Sequence, residues 1–283
     1  MHGKRFETQP HLFMVYSRPR VNTTQLPALI LAAGRGERMR PLTDTCPKPL
    51  LTVRGKPLMQ WTLEALLTAG VHDVAVNTAW LGRQIEDYFD NGRLAQIAQS
   101  CRVQKPIRLR FSSEGRDFGR ALETAGGIAR ALPLLAQNSG HATDGAFWAV
   151  AGDVFAPDFA FAESEVQRFL ASGRLAHLWL VPNPPHHSQG DFGLSPDGLA
   201  VDGPGVHDAR YTFSAIALYQ RTLFAPPWCD IPPGNPHGIA APLAPLLRRA
   251  MAAGHVSAQI YMGSWTDVGT PERLAQLNID GPI

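Results

Sequence analysis

The chain has little of what marks a secreted, membrane-bound or nucleic-acid-binding protein. Its three cysteines, Cys46, Cys101 and Cys229, are far apart, form no CxxC pair and leave an odd count. That argues against a disulfide framework and fits free thiols in a reducing compartment. No run approaches the ~18 apolar residues of a membrane span, and the first residues lack the apolar stretch of a secretory signal. A cytoplasmic location and no membrane partner are therefore expected. The formal net charge is only +2, and the arginines are spread along the chain rather than gathered in a stripe with aromatics between them. No nucleic-acid partner is expected on that distribution. Nor does any internal period of roughly 20 to 50 residues appear, which argues against a solenoid.

What is present is ordinary globular composition, 45% hydrophobic over 283 residues, enough for one large domain or two small ones. Residues 1–26 are polar and aperiodic and read as a poorly ordered extension. From there the chain alternates. "PALILAA" (27–33) is a short apolar run bounded by Pro and Gly, as a buried parallel strand would be. "PLMQWTLEALLTAG" follows with Met59, Leu63, Leu66 and Leu67 at helical spacing, Pro57 at its start and Gly70 at its stop. "HDVAVNT", "IRLRFS" and "AFWAVAGD" read as further strands, with "WLGRQIEDYF", "TAGGIARALPLL" and "FAESEVQRFLAS" as helices among them.

This βαβ alternation predicts an α/β fold, a Rossmann-like three-layer sandwich with a mostly parallel central sheet. Beyond Asp153 the pattern changes. "RLAHLWLVP" and "RYTFSAIALYQ" read as strands around a hairpin at Pro196-Asp197-Gly198, and "APLAPLLRRAMAAG" and "PERLAQL" close the chain as helices. We read residues 27–283 as one domain, with a first part at 27–153 and a smaller, partly antiparallel, closing part at 154–283.

The densest segment is "LAAGRGERMRPLTDTCPKPL" (31–50), which follows the first strand. Two standard phosphate cradles fail on it. A dinucleotide fingerprint wants a glycine where Met39 stands, and a P-loop wants Gly-Lys-Ser/Thr where Gly55-Lys56 runs into Pro57. The residues still suit a polyphosphate. Glycines let the backbone expose its N–H groups, Arg38 and Lys48 add charge, and Pro47 and Pro49 stiffen the chain around Lys48. On these residues alone, an anion nest and a solvated arginine-rich turn stand level.

Two aspartates lie further on, Asp153 at a strand end in "VAGDVF" and Asp267 before a helix in "SWTDVGTPERL". Singly each reads as a cap or loop residue; together they suit Mg²⁺, which favours one or two carboxylates completed by phosphate oxygens and water. "ALETAGGI" places Glu123, Thr124, Gly126 and Gly127 at a helix start, with Thr124 as the expected cap. The adjacent His186 and His187, on a proline-rich loop, read as solvent-exposed rather than as metal ligands.

"LAAGRGERMRPLT" followed by "PKPLLTVRGKPLMQW" resembles the signature of the sugar-phosphate nucleotidyltransferases, G-x-G-[TE]-R-[LM]-x-P-L-T and then P-K-P. The resemblance implies that Ala32, Ala33, Gly34, Gly36, Glu37 and Arg38 wrap a nucleoside triphosphate, with Glu123, Thr124 and Gly126 meeting its base and ribose. It further implies catalytic roles for Arg38 on the leaving pyrophosphate, for Lys48 on the reacting phosphates and for Asp153, with Asp153 and Asp267 clamping one Mg²⁺. Ala151 departs from the family, which usually has Asn there.

The implied reaction is in-line attack by a sugar-1-phosphate oxygen on the α-phosphorus of the triphosphate. An already ionised phosphate needs no strong general base, so positioning and charge neutralisation carry the rate.

For the sugar, "NPPHHSQGDFGL", "YTFSAIALYQ" and the closing segment resemble the short uridylyltransferase branch of that family, which couples UTP to N-acetylmuramate α-1-phosphate in cell-wall recycling. By that match Asn183, Gly190, Asp191 and Ser214 face the sugar. Two alternatives stay open. A mannose-1-phosphate guanylyltransferase shares every loop motif, and a non-catalytic nucleotide-sugar-binding subunit could use the same fold, although such a relative should have lost one of Lys48, Asp153 and Asp267. The partners implied are small molecules; the oligomeric state is not set, and a monomer is compatible with it.

Overall fold

The structure is a computed structural model that describes residues 26–90, 92–136, 145–202 and 209–279. Its strands in chain order are β1 (Ala28–Ala32), β2 (Thr52–Val53), β3 (Lys56–Pro57), β4 (Asp73–Thr78), β5 (Arg108–Ser113), β6 (Ala146–Ala151), β7 (Val154–Phe155), β8 (Ala176–Val181), β9 (Phe192–Leu194), β10 (Ala200–Val201), β11 (Arg210–Gln220), β12 (Val256–Ile260) and β13 (Thr266–Asp267). Its helices are α1 (Leu42–Thr45), α2 (Leu58–Thr68), α3 (Gly82–Asp90), α4 (Arg93–Ser100), α5 (Glu114–Phe118), α6 (Glu123–Ala136), α7 (Glu163–Ser172), α8 (Leu243–Ala252) and α9 (Pro271–Ile279). No described helix is long and apolar enough to cross a membrane. Of the expected N-terminal extension, residues 1–25 lie outside the described residues, while Leu26 at its end is buried in the core.

Strand geometry explains how the apolar runs build three layers, because successive side chains leave a strand on opposite faces. Leu29 and Phe147 point to one face, where α6 and α8 supply Ile128, Leu132, Leu246 and Leu247. Ile30 and Trp148 point to the other, against Met59 and Leu63 of α2, Ile85 and Phe89 of α3 and Phe169 of α7. A sheet covered on both sides needs strands that are apolar throughout, which is why "ALILA" and "AFWAVA" carry no alternating polar residues.

Parallel strands β6, β1, β4 and β5 lie side by side in that order. Beyond β6 the sheet turns antiparallel through β11, which also pairs with β8 and β9; β12 adds parallel to β8. The expected hairpin is β9 and β10, with Leu194 opposite Ala200 and Gly198 at φ +77 in its turn. The α/β fold expected from the pattern is thus the observed one, with β12, the two-residue strands β2, β3, β7 and β13 and the short helices α1, α4 and α5 as elements that the reading passed over.

Strand order reverses at β1, since β4 and β5 follow on one side of it and β6 returns on the other. In open α/β sheets the crevice outside the carboxyl ends of the strands at such a point is where ligands bind. Here those ends are Ala32-Ala33-Gly34 after β1 and Asp153 after β6.

Candidate active site

The loop leaving β1 is anchored by the residue that spoils the dinucleotide fingerprint. Met39 is fully buried with Leu51, Val53, Leu58, Phe155, Val268 and Leu274. Gly36 adopts φ +68, and a Cβ on it would come 3.1 Å from Thr43 Cγ2 and 3.3 Å from Lys48 Cβ, so a side chain would be both strained and crowded. Two of the loop's arginines have structural partners. Arg35 Nη1 donates to the Thr43 carbonyl at 2.7 Å, and its guanidinium stacks 3.7 Å from the Trp80 ring. Asp44 accepts from both Arg35 and Arg40 at 2.8 Å. Arg38 has no hydrogen-bond or ion-pair partner among the described residues and lines a cavity of about 250 Å³ with Gly34, Gly36, Glu37, Lys48 and Asp153. The amides of Gly34, Arg35 and Gly36 likewise meet no acceptor among the described residues. Free N–H groups beside an unpaired guanidinium are an anion-binding arrangement.

Lys48 opens a single 3-10 turn after Pro47, which sits at φ -65. The residue is only 8% exposed, and its ammonium donates to the Asp153 carboxylate. Asp153 stands between β6 and β7, and β7 pairs antiparallel with β13, setting Asp267 opposite Val154. The Val268 N–H donates to the Asp153 carbonyl at 3.1 Å, so this short ladder brings the backbones of both aspartates together. The Asp267 carboxylate is paired with Arg273 of α9 and lies 3.0 Å from His186 Nε2.

Both aspartates therefore have cationic side-chain neighbours. The donor set is oxygen only, which suits a hard divalent ion such as Mg²⁺. Among the described residues no group of three or more His, Cys, Asp and Glu side chains is arranged to hold a metal by itself. Asp153 lines the cavity beside Arg38 and Asp267 does not; a hard divalent ion there would need phosphate oxygens to complete its shell.

A second, buried network ties two loops together. The Ala32 N–H donates to Asn77 Oδ1 at 2.8 Å, Asn77 Nδ2 donates to Glu114 Oε1 at 2.7 Å, and the Leu122 N–H donates to Glu114 Oε2 at 2.7 Å. Glu114 is fully buried, and burial pushes its carboxyl above the usual range. Gly127 is the residue that leaves it room, since a Cβ there would lie 2.6 Å from Glu114 Oε1. This bracket joins the end of β1 to the segment entering α6.

A larger cavity of about 600 Å³ opens beside the first and shares Gly34, Lys48 and Asp153 with it. Ala32, Ala33, Glu123, Thr124 and Asp191 also line it. Thr124 is not the helix cap expected of it: α6 already begins at Glu123, and the amides of Ala125 and Gly126 are taken by the Ala241 carbonyl. Gly126 packs against the backbone of Ile239 rather than lining the cavity.

Of the four residues expected at the sugar, Asp191 alone lines this cavity; its Oδ2 accepts from the Phe213 N–H at 2.8 Å. Asn183 Nδ2 donates to the carbonyls of Ser188 and Arg210, and its Oδ1 accepts from Thr212. Gly190, at φ +63, packs against the Tyr211 backbone. Ser214 is fully buried and donates to the Trp179 carbonyl at 2.7 Å, while its neighbours Phe213 and Ala215 face the cavity.

Sequence reasoning missed Asn77, Glu114 and Arg273. The side chains of His186 and His187 are 39% and 40% exposed, in keeping with the solvent-exposed reading; what it did not foresee is that His186 lies against Asp267 and that His187 Nε2 lies 3.1 Å from Asp191 Oδ1. A usable signal for Asn77 and Glu114 is their place, polar residues at or just after the carboxyl ends of adjacent apolar strands.

Residues 27–194, more than half of the chain, match the Nucleotidyl transferase family. The chain belongs to that family. This nucleotidyl transferase is 43% identical, over 88% of its own length and 95% of the relative's, to N-acetylmuramate alpha-1-phosphate uridylyltransferase of Neisseria meningitidis. It is 30% identical to the protein of the same name from Caulobacter vibrioides, over 87% of this chain and 92% of that one. In fold it is similar to a Bacillus anthracis crystal structure named for glucose-1-phosphate thymidylyltransferase, with a TM-score of 0.63 and 19% identity over 90% of this chain and 94% of that one.

Proposed function

We propose that the protein couples UTP to N-acetylmuramate α-1-phosphate, forming UDP-N-acetylmuramate and pyrophosphate, with Mg²⁺ as cofactor. The observation that carries this reading is the 43% identity to a uridylyltransferase over 95% of that relative, because it extends through the sugar-side half of the chain as well as the phosphate loop. Such a reaction returns a cell-wall amino sugar to its activated form in the cytoplasm. Labour divides between residues 27–153, which take the nucleotide, and 154–283, which take the sugar and close the site.

In this reading the free amides around Gly34 and the unpaired Arg38 receive the β- and γ-phosphates, and Lys48 neutralises charge at the α-phosphate. Ala32, Ala33, Gly36 and Glu37 shape the triphosphate loop, with Glu123 and Thr124 toward base and ribose and Gly126 behind them, packing the start of α6 onto the Ile239 backbone. Asp153 and Asp267 hold the metal, and Mg²⁺ when bound supplies charge neutralisation for the phosphates. The sugar-phosphate oxygen forms a bond to the α-phosphorus as the bond to the bridging oxygen of pyrophosphate breaks. No proton needs to move, which agrees with a site built of cations and carboxylates. Asp191 faces the sugar directly; Asn183, Gly190 and Ser214 act by holding the strands and loop around it.

The test is pyrophosphate release from four nucleoside triphosphates, each with N-acetylmuramate, N-acetylglucosamine, glucose and mannose 1-phosphates, with Mg²⁺ and in excess EDTA. UTP with N-acetylmuramate α-1-phosphate should be fastest, and EDTA should abolish turnover. A preference for GTP with mannose 1-phosphate would reassign the enzyme. No turnover with any pair would favour a binding subunit.

A further inference from the structure

We infer that Arg248 is the residue that recognises the lactyl carboxylate of the sugar substrate. The inference rests on the proposed reading, because N-acetylmuramate differs from N-acetylglucosamine by a lactyl ether that carries a second negative charge. A carboxylate entering a largely apolar cavity loses hydration and needs a cation opposite it.

The larger cavity offers few candidates. Its cationic lining residues are Lys48 and Arg248, and Lys48 is engaged with Asp153 at the phosphate end. Arg248 comes instead from α8, the helix whose Leu243 and Leu247 line the cavity together with Phe192 and Phe213 of the sugar-side strands.

Its setting prepares it for an anion. Arg248 Nε donates to Asp202 Oδ2 at 2.5 Å, and Asp202 Oδ1 accepts from Arg210 Nη2 at 2.9 Å. The single Asp202 carboxylate is thus shared between the guanidinium groups of Arg210 and Arg248. Arg210 is pinned by a further hydrogen bond to the Asp191 carbonyl, so Asp202 is held from the cavity wall and in turn orients Arg248 through Nε. The terminal Nη1 and Nη2 groups of Arg248 meet no partner among the described residues. They form the free edge that binds a carboxylate with two parallel hydrogen bonds. The Arg248 side chain is 53% exposed, so its edge can be reached. Sugars without the lactyl group gain nothing from it, which makes Arg248 a determinant of specificity rather than of chemistry.

The experiment measures kcat and KM for N-acetylmuramate α-1-phosphate and for N-acetylglucosamine α-1-phosphate in the wild type, Arg248→Met and Arg248→Lys, with thermal melting as the check on folding. Arg248→Met should lower kcat/KM on the lactyl substrate about 10- to 100-fold, chiefly through KM. It should leave N-acetylglucosamine α-1-phosphate within about twofold, so that the preference between the two sugars collapses. Arg248→Lys keeps a cation beside Asp202 but not the paired edge, and should show a smaller loss on the lactyl substrate alone; it carries the test if the methionine variant does not fold. An equal fall on both sugars would overturn the inference in favour of a tie between α8 and Asp202, and so would no change on either. A wild type indifferent to the lactyl group would instead overturn the substrate reading itself, before any variant is compared.

Discussion

Lys48 and Asp153 stand 105 positions apart in the chain, and the Lys48 ammonium donates to the Asp153 carboxylate where the two cavities meet. Each holds the other's charge in a partly enclosed site. The pairing makes both residues sensitive to loss of either, since truncating one leaves the other's charge without its partner.

Asp153→Asn should keep a native circular dichroism spectrum and lose at least about 10²-fold in turnover, the usual scale for removing one preorganised charge-stabilising group. Lys48→Met should fall by a comparable factor. Near-normal steady-state rates in Asp153→Asn would remove this carboxylate from the chemistry.

Met39→Ala should destabilise the fold by about 2–5 kcal/mol in chemical denaturation, the range for truncating a buried methionine. The side chain is fully buried beneath the loop that follows β1. A loss below about 0.5 kcal/mol, the scale of an ordinary surface change, would show that Met39 does not anchor that loop.

Glu114→Gln tests the buried bracket. A glutamine has one acceptor oxygen and cannot accept from both Asn77 Nδ2 and the Leu122 N–H, so one buried donor loses its partner. The expected cost is about 1–3 kcal/mol, and KM for the triphosphate should rise more than kcat falls, because the bracket positions segments on the side proposed for the nucleotide. A fall in kcat with KM unchanged would contradict that assignment.

Acid should destabilise the protein through His177. Burial, with the positive charge of Arg168 adding to it, lowers its pKa to about 4, and its ring packs edge-on against Trp179. An unfolded-state histidine titrates near 6.5. Folded stability from this group is thus complete above about pH 6.5 and is lost as pH falls toward 4, where the unfolded chain takes up the proton first. The total is about 3 kcal/mol, read as the slope of unfolding free energy against pH. His177→Gln should flatten that slope; an unchanged slope would exclude His177 as its origin.

Much of the architecture was legible because its strands are apolar on both faces and its helices carry repeats such as Met59, Leu63 and Leu66. β12 escaped although Val256, Ala258 and Ile260 alternate, since it is only five residues long and carries the polar Ser257 and Gln259 between them. Arg38, Lys48 and Asp153 could be picked out by motif, and they do line one cavity. Ser214 shows where motif reading runs out. Ala215 adopts φ +60 and β11 shifts register between Phe213 and Ala217, so which side chain faces the cavity depends on a local backbone irregularity. The Asn77 and Glu114 pair was legible only in part: each is a polar residue near a strand's carboxyl end, but their contact exists only once β4 and β5 lie side by side.

The identity of the coupled substrates is read from one competition reaction, with equimolar UTP, GTP, CTP and dTTP and equimolar N-acetylmuramate, N-acetylglucosamine and mannose 1-phosphates, the products being identified by mass. UDP-N-acetylmuramate should be the dominant early product. GDP-mannose, or a mixture in which the lactyl sugar has no advantage, would refute the assignment.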